Sequence, residues 1–351
     1  MSTSDVTKQG IRGERPGRDA LVGEGVRRSR GRHRGRRGEQ AMVPQAEFTS
    51  YYGRPVIKPP SWAPLDIAGY FFLGGLAGAG SVLAAGAELT GRPAMARALK
   101  LSSLAAVSGS AAALVHDLGR PSRFANMLRV LKPTSPMSVG SWLLAAYGPA
   151  AGAAAVLDAA GRLPRLGRAA TCGAALLGPA VAAYTAVLAA DTAVPAWHEV
   201  HRELPFVFVG SAAAAASGMA LVTSPTAQSG PARSAAVLGV ALETAAVKIM
   251  ERRIGIIAQT YRTGTAGRLM RASEALSAAG TAGVLLARRS RAASVLSGAA
   301  LLAASACTRF GVFHAGLESA RDPRYTVLPQ RERLERRRAA RGPATAERPA
   351  Q

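Results

Sequence analysis

The chain has 351 residues and a formal net charge of +23, from 44 lysines and arginines against 21 acids. A basic excess of this size points first to nucleic acid. However, 48% apolar residues, a mean hydropathy of +0.12 and only 5% aromatics exclude nucleic-acid binding as the main role.

The charge is unevenly placed. Residues 1–60 carry a net +7 and residues 315–351 a net +4, flanking a long block rich in alanine, glycine, leucine and valine. In that block the charges fall in short clusters between apolar runs, the layout of a multispanning membrane protein. Two cysteines, Cys172 and Cys307, lie in separate runs. Two thiolates are too few for an iron–sulfur cluster or a structural zinc.

Residues 1–60 show no apolar periodicity and read as a disordered Arg/Gly/Pro-rich tail. Arg27-Arg28 is not followed by an apolar segment, so no cleaved signal is expected. Met42 is an alternative start. From residue 65 come eight apolar runs near the roughly 20 residues that a membrane helix needs. They cover 65–88, 98–116, 138–160, 169–190, 205–223, 233–250, 267–287 and 292–313. The expected fold is all-α: eight transmembrane helices in a domain spanning 61–315, followed by a polar basic tail over 316–351. Gly74 and Gly78 fit the small-xxx-small pattern of close helix packing.

An even number of spans puts both termini on one side. Counting loops and adjacent tail positions, that side holds fourteen basic residues against ten opposite, which favours cytoplasmic termini. His116, His198, His201 and His314 fall on the terminus side, as do all three tryptophans and Asp66, Asp117, Asp191, Glu199 and Glu203. The other loops offer Glu88 and Asp158 and no histidine. Such one-sidedness points to proton-linked chemistry or a partner on that face. Two loops stand out: His116-Asp117-Leu118-Gly119-Arg120-Pro121 with Arg123, and Asp191 through Trp197-His198-Glu199 to His201-Arg202-Glu203.

These loops carry a resemblance, together with Tyr70 to Gly78, Phe124, Lys132 to Pro136, Tyr184-Thr185 and Asp322 to Val327. Over residues 51–335 the chain resembles the NrfD/polysulfide reductase membrane subunits of molybdopterin oxidoreductase complexes. The resemblance implies eight helices in two four-helix bundles and a quinone pocket. It also implies docking against a ferredoxin-like four-cluster iron–sulfur subunit, which serves a molybdopterin catalytic subunit such as that of a formate dehydrogenase. The quinone (menaquinone or ubiquinone) is an exchangeable substrate, and no haem, metal or cluster is expected in this chain. Aligning on Gly75-Leu76-Ala77-Gly78 puts Tyr70 and Ile67 at two quinone-contacting positions, with Tyr184 at the pocket tyrosine. Here Tyr70 stands where a characterised relative has histidine, and Ile67 where it has asparagine.

A quinone carbonyl that gains electrons must receive protons, which tyrosine hydroxyls backed by a carboxylate or histidine supply. Tyr184, Asp66, His116 and Asp117 are therefore the catalytic candidates. Asp191, Glu243 and Lys248 are further relay candidates, since a mid-span carboxylate such as Glu243 is costly in lipid. Arg120, Arg123, Trp197, His198, Glu199, His201 and Arg202 form the expected partner face. Ordinary readings stand beside these: packing for Tyr70, a helix cap for Asp66, a local ion pair for Glu243, with Arg309 as its partner or snorkelling. A haem b anchor and a secondary transporter are the alternative functions. The first needs histidines on facing helices at membrane depth, and the second broken helices at the midplane.

Overall fold

The computed structural model describes residues 55–120, 122–286 and 290–340, with the backbone of three short strands. The remaining residues, including most of the expected N-terminal tail, Pro121 and the chain beyond 340, lie outside the described part. Two compact units divide the chain: residues 57–321, and residues 1–56 with 322–351. In the second unit, β1 (Val6–Thr7), β2 (Gly10–Arg12) and β3 (Asp19–Ala20) form an antiparallel ladder in chain order.

The first unit is built from long helices: α1 (Pro64–Leu89), α2 (Pro93–Asp117), α3 (Pro136–Ala160), α4 (Pro164–Ala190), α5 (Leu204–Thr223), α6 (Gly230–Arg253), α7 (Gly264–Leu286) and α8 (Arg291–Arg321). A further helix, α9 (Arg324–Ala340), belongs to the other unit. Each apolar run of the sequence thus became a helix. The largest difference is in α8, which continues eight residues past its run and holds His314 within its last turns. Among the described residues, six helices, α1 to α5 and α8, are long and apolar enough to cross a membrane. α6 and α7 are less apolar, with Arg233, Glu243, Lys248 and Glu251 lowering the hydropathy of one and Arg268, Arg271 and Glu274 that of the other.

Proline occupies the first or second position of α1 to α6. Its missing N–H costs nothing there, and its fixed φ suits a helix start. Gly91 and Gly161 follow α1 and α3 with φ of 70° and 64°, a left-handed conformation that ends helices at little cost in glycine.

The most extensive contacts pair α1 with α2 and α4, α3 with α4, α5 with α6 and α8, and α7 with α8. α1 also meets α5, and these two are the most buried of the six apolar helices. Two glycine crossings allow this approach. Gly78 of α1 faces Gly178 of α4, and Gly218 of α5 faces Gly298 of α8. A β-carbon on any of the four would overlap the opposing carbonyl oxygen. With no hydrophobic drive between helices in lipid, such close backbone contact is a main source of association.

Candidate functional site

The polar residues expected on one side are brought together at one end of the long helices. Asp117, ending α2, accepts the Ala63 N–H at 3.1 Å, so it holds the start of α1. Beside it, His116 Nδ1 lies 2.8 Å from Asp66 Oδ2. Asp66 is one helical turn from Tyr70 on α1, which places both on one face. Tyr70 is buried, and its hydroxyl is hydrogen-bonded to that of Tyr184 on α4, the two rings meeting edge to face at 6.2 Å. Ile67 is buried beside Tyr70 on α1. Gly140 of α3 lies so close that a β-carbon there would overlap the Tyr184 ring. Three elements therefore fix the tyrosine pair, with the Asp66–His116 pair one turn outside it. Asp191 is exposed at the end of α4 and stands apart from the pair.

The second loop is anchored through Trp197. This ring is fully buried, donates Nε1–H to the Val312 carbonyl at 2.8 Å and stacks on Trp62 at 5.5 Å. Gly316 leaves it room. Tyr261 Oη donates to the Ala196 carbonyl at 2.7 Å, and the Ala196 N–H donates to Ser319 Oγ. Trp197 therefore holds the short helix Pro195–His198 and cannot offer a docking surface, contrary to the expectation from sequence. His198, His201, Arg202, Arg120 and Arg123 are exposed on this face, and Glu199 is half-buried.

Glu203 follows, buried, with a two-pronged contact: Arg253 Nε to Oε1 and Nη2 to Oε2, each 2.6 Å. Burial pushes its carboxyl up, but the Arg253 hydrogen bonds and charge outweigh that and hold it below the usual glutamate range.

The remaining relay candidates lie elsewhere. Glu243 is buried on α6 and accepts a 2.6 Å hydrogen bond from Thr308 of α8, whose hydroxyl is 2.7 Å from Ser273 of α7. Lys248 pairs with Glu274 at 3.3 Å, on exposed side chains. Among the described residues, no hydrogen bond or ion pair joins Glu243 or Lys248 to the tyrosines. Arg309 does not snorkel: it is fully buried, donates Nη2 to the Phe208 carbonyl at 2.6 Å, stacks its guanidinium 3.7 Å from the Phe208 ring centroid, and lies near enough to Glu243 for their charges to interact.

Sequence reasoning missed the polar cluster at the opposite end. Lys100 is buried, 2.7 Å from Glu88 and 3.1 Å from Asp158, which also binds Arg97. The i, i+3, i+10 spacing of Lys100, Ser103 and Ser110, which puts them on one face of the helix, was the available signal, since all three are buried.

The profile of the family described as polysulphide reductase, NrfD, matches residues 58–276, more than half of the chain. The chain belongs to this family. The match takes in α1 to α6 and the first half of α7, with both tyrosines and both loops. Thr308 and Arg309 lie beyond it. No curated protein matches the chain. Membership makes it a multi-pass membrane protein of the kind that serves as a quinone-linked subunit of molybdopterin oxidoreductase complexes.

Proposed function

We propose that the chain is a quinone-reactive membrane anchor with eight spans in two four-helix bundles, α1 to α4 and α5 to α8. It carries electrons between a partner's iron–sulfur chain and the quinone pool of the cytoplasmic membrane. The face with His198, His201 and Arg202 receives a four-cluster iron–sulfur subunit, which joins a molybdopterin subunit of a complex such as formate dehydrogenase. The termini lie on the cytoplasmic side.

The observation that carries this reading is the buried Tyr70–Tyr184 hydroxyl pair. Each hydroxyl has one proton and two acceptor lone pairs. In the pair, one donates to the other, which leaves the second O–H free to point at a carbonyl oxygen. A quinone supplies two such oxygens and takes up two electrons and two protons. The chain's part is to bind one carbonyl, aim it through Tyr70 and Tyr184, and replace the proton from the tyrosine hydroxyl. Asp66 and His116, one turn nearer the surface, are placed to refill that proton from water. Ile67 and Phe71 supply apolar wall beside the pair.

Replacing Tyr184 with phenylalanine keeps the ring and removes the hydroxyl. Loss of a positioned proton donor lowers turnover by about 100-fold, so quinone turnover in Tyr184→Phe membranes falls to that extent while the assembled complex remains. Unchanged turnover would remove Tyr184 from the site.

A further inference from the structure

The second set of four helices contains a feature that quinone binding at Tyr70 and Tyr184 does not use. α6 and α7 are neighbours in sequence, yet they touch each other far less than either touches its other partner. Between them is a cavity of about 440 Å³. Its lining begins at Glu251 and Arg262, on the face that holds the His198–Arg202 loop, and reaches inward to Ser277 and Glu243. Glu243 is ten residues before the end of α6, so it lies ~15 Å along the helix from that face at 1.5 Å per residue.

Two physical arguments fill this space with water. The first concerns the Lys248–Glu274 pair on its wall, whose side chains are 49% and 64% exposed. Facing hydrocarbon, a pair so exposed would cost several kcal/mol. Facing water, it costs close to nothing. The second concerns room and partners. At ~30 Å³ per molecule the cavity has space for on the order of ten waters, and hydroxyls and carboxylates on its wall supply hydrogen bonds. Of the charges on α6 and α7, Glu243, Lys248, Glu251, Arg271 and Glu274 are then the lining of an aqueous cleft.

We propose that this cleft is an inlet through which water delivers protons to Glu243, a proton-exchange site separate from the tyrosine pair. The connection is short. Ser273, on the cavity wall, is hydrogen-bonded to Thr308, and Thr308 donates to Glu243 Oε1. A proton taken by Ser273 from the cleft displaces its own to Thr308, and Thr308 passes its own to the carboxylate. Both hydroxyls end as they began, and only Glu243 has changed. The fully buried Arg309, adjacent to Thr308 on α8, offsets the charge of the ionised carboxylate. Lys248 and Glu251 on α6, Arg262 before α7, and Arg271 and Glu274 on α7 are the other charged groups around the cleft.

Thiol accessibility tests this without measuring turnover, so it stands or falls apart from the quinone assignment. In a chain with Cys172 and Cys307 replaced by alanine, single variants Ser277→Cys and Val247→Cys place a thiol on each wall of the cleft. Leu238→Cys, 70% exposed on the outer face of α6, is the lipid-facing control, and His201→Cys marks the loop side. Sealed vesicles are treated with a cationic, membrane-impermeant thiosulfonate. Only a hydrated thiol ionises and reacts, so both cleft positions label at least ~10-fold faster than Leu238→Cys, and from the side that labels His201→Cys. Labelling no faster than the control, labelling from the other side, or reaction only with a lipid-soluble maleimide would each overturn the proposal. The last result would mean that lipid or a second membrane subunit covers the cleft.

Discussion

The two sets of four helices are packed alike and filled differently. In each, the first helix crosses the fourth at a pair of glycines, Gly78 with Gly178 and Gly218 with Gly298. The interior of α1 to α4 is linked by hydroxyls around the tyrosines: Tyr70 on Tyr184, and Tyr147 on Ser81 and the Ala77 carbonyl. Its buried charge, Lys100 with Glu88 and Asp158, sits at the opposite end from the tyrosines, whereas the middle of α5 to α8 holds Glu243, Arg309 and a cavity of about 440 Å³. A common packing scheme thus carries two chemistries. Neutral hydroxyls suit hydrogen bonding to an uncharged carbonyl, whereas a hydrated carboxylate suits proton exchange.

The shared packing gives the largest expected effect. Gly78→Val and Gly218→Val drive a side chain into an opposing backbone, which costs about 3 kcal/mol, the upper end of the usual overpacking range. Little folded protein should be recovered in detergent from either variant. Gly86, with open space around it, serves as control, and Gly86→Val should remain within ~1 kcal/mol of the parent. Loss of folding from one crossing but not the other would break the parallel between the halves.

The next effect separates the two interiors. Gly140→Ala pushes a β-carbon into the Tyr184 ring and moves it from Tyr70. Misplacement of a reacting group by about 1 Å can lower rate ~100-fold, so quinone turnover should fall by at least ~10-fold in the assembled complex. Turnover equal to the parent would show that the geometry of the tyrosine pair is irrelevant to the reaction.

Much of this was legible in the sequence, because apolar run length and the prolines at helix starts are local signals. All eight runs became helices, and the polar face gathered where the loops predicted. What stayed hidden depends on neighbours distant in sequence. Trp197 looked like an interfacial aromatic, but Val312, Ser319 and Tyr261 enclose its helix. Arg309 looked like a snorkelling residue near a helix end. Because α8 runs on to Arg321, Arg309 is instead deep in the helix, where the face of Phe208 and its carbonyl hold the guanidinium. Glu243 read equally well as part of a quinone relay, since one-dimensional spacing does not say which set of four helices a carboxylate enters.

The smallest effect lies outside both interiors. The Glu203 carboxyl is held below its unfolded value of about 4.3, so its stabilising contribution is complete above that pH and is lost as pH falls through the lower folded value. Removing its charge with Glu203→Gln should cost about 1 kcal/mol at pH 7, since Arg253 is partly solvated. Thermal melts at pH 7 and pH 3 check this: the gap between parent and variant narrows at the lower pH. A gap that holds or widens would contradict the ion-pair assignment.

The central claim is that quinone chemistry belongs to α1 to α4 and not to the larger cavity in α5 to α8. A photoreactive azidoquinone, illuminated in membranes that contain the assembled complex, tests it most directly. The account predicts that peptide mapping finds the label in segments around Tyr70 and Tyr184, and that excess native quinone suppresses it. Label concentrated around Glu243, Ser273 or Ser277, equally suppressed by quinone, would contradict it.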